Sequence, residues 1–506
     1  MVRRVVRAAA GWRLRQVARA LADPLGTQER LLLSLVHRAR GTLWGRRHGF
    51  ETVRSVGDYQ RAVPVCRYEE MAPLWHRAFE GQRNICWPGH VPYFALSSGT
   101  TAETCKAIPV TRESIRANFR SALTLLGLCQ KQAEGDIFAG KTLYFGGCTT
   151  LERRGACLVG DSSGIMALHI PRLAWRYRLP ERDVAAMTDW EAKVEAICQR
   201  YQRSPVTVVA GLPSWTLLLF RRLLEVSGAR CVAEVWPQLK AFIHFGMAFE
   251  PYRAQFESLV GRPLAYVDTY SSSEGGLNAI QREQGDPSMQ LELDSGAFFE
   301  FVPPDELESQ NPTRLTVGEV ELDKPYAVLL TTVSGIWAYD VGDIVRFTSL
   351  RPPKIVVAGR TRLALNTFGE HVIVEELEMA ATAASRATGA LVSDFTVAPL
   401  LPEGDDPRGA HLWLVEFDGS PAPLGDFAAH LDDALIEKNL DYKIHRQRDF
   451  AMRPPEVVAL ASGTFYEWAR RHGRLGGQRK VPRVALSEAM VDELRDISAE
   501  LAASPS

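Results

Sequence analysis

The stretch Leu96-Ser97-Ser98-Gly99-Thr100-Thr101, followed five residues later by Lys106, decides how the rest of the chain is read. It comes directly after an apolar, strand-like run through Val91, Tyr93, Phe94 and Leu96. Small hydroxyl residues around a glycine let backbone N–H groups converge on an anion, and the hydroxyls add further donors. Lys106 offers a mobile positive charge to the same phosphate. This is not a Walker loop, because no Gly-Lys-Ser/Thr closes it. Alone, such a cluster is a turn; the segments that follow it in order give it meaning.

Composition narrows the field. A chain of 506 residues is too long for one simple core, so two or more domains are expected. Its 46% hydrophobic and 24% charged residues are those of an ordinary globular protein. A net charge of -1 lacks the basic surplus of a nucleic-acid binder, so no nucleic-acid partner is expected. Eight cysteines are scattered without a Cys-x-x-Cys pair, which reads as reduced thiols rather than a disulfide framework or zinc site. No apolar run reaches membrane-spanning length, so no integral membrane contact and a cytoplasmic location are expected. Arg3, Arg4 and Arg7 make the N-terminus basic, but Arg13, Arg15 and Arg19 interrupt any signal-peptide core. That stretch reads as a basic amphipathic helix packed on the body, with a membrane-surface helix as the other reading.

Hydropathy patterning gives the organisation. Residues 1–85 read as mostly helical, with Leu31, Leu32, Leu35 and Val36 forming an apolar stripe. Strands over 91–96, 141–145, 205–210, 239–245 and 264–270 alternate with helices over 111–129, 183–203, 213–227 and 250–260. The alternation predicts an α/β sheet whose strand C-termini carry the ligand loops. Residues 290–350 turn hairpin-like, and after Gly359 the pattern resets to a smaller α+β unit, with the joint between about 360 and 372.

Four further segments carry chemistry. Phe245-Gly246-Met247-Ala248 ends a strand, and its glycine lets a flat ring approach the backbone. Tyr270-Ser271-Ser272-Ser273-Glu274-Gly275-Gly276 is a strand and turn bearing an aromatic ring and a carboxylate. Tyr339-Asp340-Val341-Gly342-Asp343 sets an aspartate after a glycine turn, at the head of a strand over 344–347. Gly359-Arg360 opens a run that reaches Gly369-Glu370-His371, then Glu376-Leu377-Glu378.

In this order the segments resemble the adenylate-forming superfamily of acyl-CoA synthetases, luciferases and peptide-synthetase adenylation domains. Within it the chain most resembles the auxin-responsive acyl-acid amido synthetases (the Gretchen Hagen family), especially bacterial members. The residues that carry this include Thr42-Leu43-Trp44-Gly45-Arg46, Pro64-Val65-Cys66-Arg67-Tyr68-Glu69, Gly211-Leu212-Pro213-Ser214-Trp215 and Gln478-Arg479-Lys480-Val481-Pro482-Arg483. They run nearly end to end. The resemblance implies an α/β, firefly luciferase-like fold, with a large adenylation domain over 1–365 and a small mobile domain over 366–506.

It also implies a reaction and a cast of residues. A carboxylic acid and Mg-ATP would give an acyl-adenylate and pyrophosphate; an amino acid or other amine would then displace AMP to leave an amide. Ser97, Ser98, Gly99, Thr100 and Thr101 would hold the phosphates with Lys106 assisting, Thr100 and Lys106 being counted among the catalytic groups. Glu274, beside Ser273, would bind Mg²⁺, and Asp343 would accept the ribose hydroxyls. Tyr270 and the Gly246-Met247 turn would sandwich the adenine, and Arg360 would reach ribose or phosphate. Lys480, on the mobile domain, would swing over the α-phosphate during adenylation. Phe119, Leu123, Pro213 and Trp215 are the expected acyl-pocket residues. Arg362 stands where acyl-CoA synthetases keep a hinge aspartate, and the role of His371 is open. An acyl-CoA ligase sharing the first half-reaction is the alternative activity, and the chain is expected to be a monomer or homodimer.

Overall fold

The computed structural model describes residues 2–97, 106–246, 249–360, 364–365, 367–402, 406–417, 419, 423–449, 451–472, 482–485 and 487–503. The candidate residues Ser98, Gly99, Thr100, Thr101, Met247 and Lys480 lie outside these, as do the side chains of Ser97 and Arg360. The described residues up to Arg360, save 250–252, form one compact unit, and those from Ala364 onward a second.

In the first unit the strands are β1 Tyr93–Ser97, β2 Lys106–Val110, β3 Lys141–Phe145, β4 Glu152–Arg154, β5 Cys157–Gly160, β6 Arg178–Leu179, β7 Val206–Gly211 and β8 Ala241–Phe245. They continue as β9 Ala265–Ser272, β10 Gly276–Gln281, β11 Met289–Leu291, β12 Ala297–Val302, β13 Pro325–Thr332, β14 Ile336–Leu350 and β15 Pro353–Arg360. Among the described residues, eleven strands make one sheet in the order β12-β13-β14-β15-β11-β10-β9-β8-β7-β3-β6. The run β6-β3-β7-β8-β9 is parallel. Its strands β7 and β8 are almost wholly buried, as expected of strands covered on both faces by crossover helices. Beyond β9 every pairing is antiparallel.

That antiparallel half curls. Three strands separate β9 from β14 in the sheet order, and at about 4.8 Å per strand a flat sheet would hold them some 19 Å apart. Yet Tyr270 on β9 hydrogen-bonds Asp343 on β14 at 2.7 Å. The curl wraps one buried cluster that includes Tyr270, Leu291, Phe299, Phe301, Val345, Phe347 and Ile355.

Three expectations need correction. The strand read at 91–96 does not join the main sheet: β1 lies in a four-stranded sheet ordered β2-β1-β5-β4, because the chain turns back at once into β2. Gly342 does not end one strand and begin another. Strand β14 runs through it, with φ +84° at the glycine. Ala327 faces Ile344 and Leu329 faces Asp340, so two steps along β13 span four along β14, a bulge that re-aims Asp343. The helix read at 183–203 is two helices, Arg182–Ala185 and Trp190–Tyr201, because Asp189 caps the second by accepting from Ala192 N.

The second unit holds β16 Ala364–Leu365, β17 Val372–Ile373, β18 Val392–Leu400, β19 Ala410–Phe417 and β20 Glu456–Leu460. The last three pair in the order β18-β19-β20, antiparallel then parallel. A helix missing from the sequence reading, Glu488–Ala503, buries Met490, Val491, Leu494 and Ile497 against Phe465 and Trp468.

Candidate active site

The phosphate-loop candidate is the eight-residue connection of a hairpin whose ends are set by register, Ser97 opposite Lys106. The Lys106 ammonium lies 5.3 Å from the centre of the Tyr68 ring, and Ala107 N donates to the Tyr68 hydroxyl at 3.2 Å. Tyr68 therefore holds the start of β2 from below. The segment leading to it pairs with β14: Cys66 N donates to Ala338 O, and Asp340 N to Cys66 O, both at 2.9 Å. Two stretches far apart in sequence, 64–68 and 338–343, are thus stitched to the loop's second strand.

Two more candidates come from the C-terminal ends of neighbouring parallel strands, the position where open α/β sheets bind ligands. Gly246 follows β8 with φ +82°, and a Cβ there would stand 2.7 Å from Leu212 Cδ2. Tyr270 lies near the end of β9, and Ser273 and Glu274 form the turn into β10. Tyr270 is 8% exposed, as is Asp343, and its hydroxyl donates to Asp343 Oδ2. The backbone register of β14 on β15 then sets Arg360 opposite Asp343. Hence Tyr270, Asp343 and the Arg360 backbone meet at one place.

Glu274 is tied to the same strand by charge. Burial, then the carboxylates of Glu274 and Asp340, hold the Tyr339 phenol above its ordinary range. Asp340 itself has Arg67 Nε at 3.8 Å. Glu274 also lines a small cavity, together with Ser273, Gly276, Ser114, Ala117 and Asn118, Ser162 and Met166, and residues 332–334. Gly276, at φ +75°, leaves room that a Cβ would take from Asn118 Oδ1. Asn118 Oδ1 accepts from Leu277 N at 3.2 Å, so this asparagine fastens the helix Arg112–Gln132 to the turn after Glu274. Among the described residues no group of three or more His, Cys, Asp or Glu is placed to hold a metal ion by itself.

The expected acyl-pocket residues stand elsewhere than this cavity's wall. Phe119 packs beside the core on the adjacent face of the same helix, and Leu123 is half-buried. Pro213 starts the helix Pro213–Ser227. Trp215 is 3% exposed, its ring 3.7 Å from that of Trp190 and tilted onto Phe145, which is the environment of a core anchor. Residues 114, 117 and 118 share a face at helical spacing, so the cavity uses the small polar side of a helix whose bulky side attracted the sequence reading.

Sequence reasoning also passed over Lys193. It is buried, and its ammonium donates to the carbonyls of Gly146, Gly147 and Ala185 at 3.1, 3.2 and 3.3 Å, just past the end of β3. Burial lowers it from 10.5 to about 8. His244 is 3% exposed, stacked on Phe249 and 3.2 Å from Asp268. In the second unit His371 Nδ1 lies 2.8 Å from Gly369 O and 3.2 Å from Asp441.

Comparison with known proteins gives this arrangement a context. The GH3 family N-terminal domain matches residues 13–156, the GH3 family central domain 291–360 and the GH3 family C-terminal domain 375–489. Indole-3-acetic acid-amido synthetase GH3.8 of Oryza sativa subsp. indica is 23% identical, over 92% of this chain and 89% of the rice protein. Jasmonoyl-L-amino acid synthetase GH3.5 of Oryza sativa subsp. japonica is 29% identical over 50% of this chain and 46% of its own. Among solved structures, the AtGH3.15 acyl acid amido synthetase in complex with 2,4-DB superposes with a TM-score of 0.59, at 19% identity and 96% coverage of both chains. 2-Hydroxyisobutyryl-CoA ligase, in complex with 2-HIB-AMP and CoA, gives the same TM-score at 13% identity over 94% of this chain and 93% of its own. The fold is therefore that of adenylate-forming enzymes, and the chain is a member of the GH3 family.

Proposed function

We propose that this protein is an ATP-dependent acyl-acid amido synthetase, which activates a carboxylic acid as its adenylate and passes the acyl group to an amino acid or other amine. The observation that carries the reading is the Tyr270–Asp343 hydrogen bond. It brings the ends of β9 and β14 together, so that an aromatic face, a ribose acceptor and the Glu274 turn share one rim.

Forming a mixed anhydride concentrates negative charge on the α-phosphate, and preset donors are the natural response. Residues 97–101 and Lys106 would supply donors to the phosphates, and Lys480 a further one. Asp343 takes the ribose hydroxyls, while Tyr270 and the Gly246-Met247 turn flank the base. Arg360, opposite Asp343 in register, reaches the ribose or phosphate. Glu274 fits a magnesium ion: Mg²⁺ prefers one or two carboxylates plus phosphate oxygens, and the Glu274 and Asp340 carboxylates both act on the Tyr339 phenol. When bound, the ion would act as a Lewis acid on phosphoryl oxygens. The cavity beside Glu274 takes the acid, with Ser114, Ala117 and Asn118 as its helical wall. The incoming amine must be neutral, and nothing singles out its base. The seven described cysteines are all free, which supports work in a reducing cytoplasm.

The test is pyrophosphate release over a panel of aromatic, aliphatic and hydroxy acids, followed by product mass with amino acids or with CoA. An amide formed with release of AMP supports the reading. A thioester as the preferred product favours the acyl-CoA ligase alternative.

A further inference from the structure

The helix Val2–Ala22 carries six arginines and no acidic residue. The body of the first unit engages three of them. Arg3 lies over the Tyr177 ring, Arg7 pairs with Asp136, and Arg13 is buried against Glu292 and Asp294. Arg4, Arg15 and Arg19 are exposed, and no described carboxylate pairs with them. At about 100° per residue, Arg4, Arg15, Ala8, Arg19, Trp12 and Val5 fall in that order within an arc of about 100°. The arginines span about 22 Å of helix. Trp12 is 53% exposed and Val5 58%, whereas the other described tryptophans are buried or half-buried.

An indole left in water beside unpaired guanidiniums is a costly surface unless something covers it. We propose that this face lies on an anionic phospholipid surface, with the Trp12 and Val5 side chains entering the headgroup layer and Arg4, Arg15 and Arg19 meeting lipid phosphates. Indole rings favour that depth, and each juxtamembrane arginine adds attraction to an anionic leaflet. Three small alanines on and beside the arc, Ala8, Ala18 and Ala22, let headgroups approach the helix. No described helix is long and apolar enough to cross a membrane, so the contact is peripheral and reversible. A net charge of -1 over the whole chain offers no field for nucleic acid, while a lipid surface needs only the local patch.

The full chain is sedimented with vesicles of phosphatidylcholine, with and without phosphatidylglycerol, at low and high salt. Binding confined to the anionic vesicles and lost at high salt is expected. The Arg4→Gln/Arg15→Gln/Arg19→Gln variant should partition on the order of a hundredfold more weakly, at about fivefold per arginine. Trp12→Ala should weaken binding severalfold while its salt dependence persists. Unchanged pyrophosphate release by both variants shows that they fold. Equal binding to neutral and anionic vesicles, no loss in the triple variant, or retention on duplex DNA in place of vesicles overturns the proposal.

Discussion

The Tyr270 hydroxyl donates to Asp343 Oδ2 at 2.7 Å, joining two strands that the sheet order keeps three strands apart. This contact holds the curl of the antiparallel half and orients the carboxylate assigned to ribose. A charged acceptor is worth about 1.5–3 kcal/mol. Asp343→Ala should therefore raise the KM for ATP by about tenfold to a hundredfold. Tyr270→Phe should cost about 1 kcal/mol of stability with a smaller change in KM. Equal ATP affinity in Asp343→Ala and wild type would contradict the assignment.

Gly276 and Asn118 give a handle on the acid alone. At φ +75° an alanine is strained by about 1–2 kcal/mol, and its methyl would displace the Asn118 amide from the cavity wall. Gly276→Ala should raise the KM for the acid severalfold and leave that for ATP nearly unchanged. A matched rise in both would place the cavity outside the acid site.

Lys193 predicts a pH signature. Its folded-state value of about 8 lies below its ordinary 10.5, so between these pH values the unfolded chain holds more protons than the folded one. Stability then rises with pH across that window, with a slope of up to about 1.4 kcal/mol per unit, and is flat in this respect below pH 8. Urea midpoints of wild type, referenced to Lys193→Met, should climb from pH 8 to pH 10. A constant difference would mean that the ammonium is not penalised by burial.

Glu274→Gln keeps the size of the side chain and removes the charge. If Glu274 binds magnesium, this change should lower kcat for pyrophosphate release by more than about tenfold, with partial recovery at high Mg²⁺. If Lys480 meets the α-phosphate mainly in the transition state, Lys480→Ala should slow adenylate formation by at least about tenfold with little change in ATP binding. Loss of ATP binding in step with rate would assign Lys480 to the ground state instead.

Much of this was legible in the sequence because the signals were local. Alternating apolar runs located β3, β7, β8 and β9, and the ordered motifs singled out Tyr270 and Asp343, which one hydrogen bond joins. What escaped depended on long-range pairing. Only the register of β13 on β14 turns Gly342 from a strand end into a bulge. Only the β1–β2 hairpin removes β1 from the main sheet. The cavity wall was missed for a chemical reason: Ser114, Ala117 and Asn118 are small, and the reading of that helix followed its large apolar residues. Lys193 was missed because nothing in its neighbourhood in sequence announces three carbonyls converging on one amine. The last helix was legible after all, since Met490, Val491, Leu494 and Ile497 repeat at helical spacing.

The most direct measurement is the exchange of labelled pyrophosphate into ATP with a carboxylic acid and no amine. The account predicts exchange that requires the acid, needs no amine, collapses in Asp343→Ala, and gives way to AMP and an amide once an amino acid is added. Exchange at background for every acid tried, or ADP in place of AMP as the nucleotide product, would contradict it.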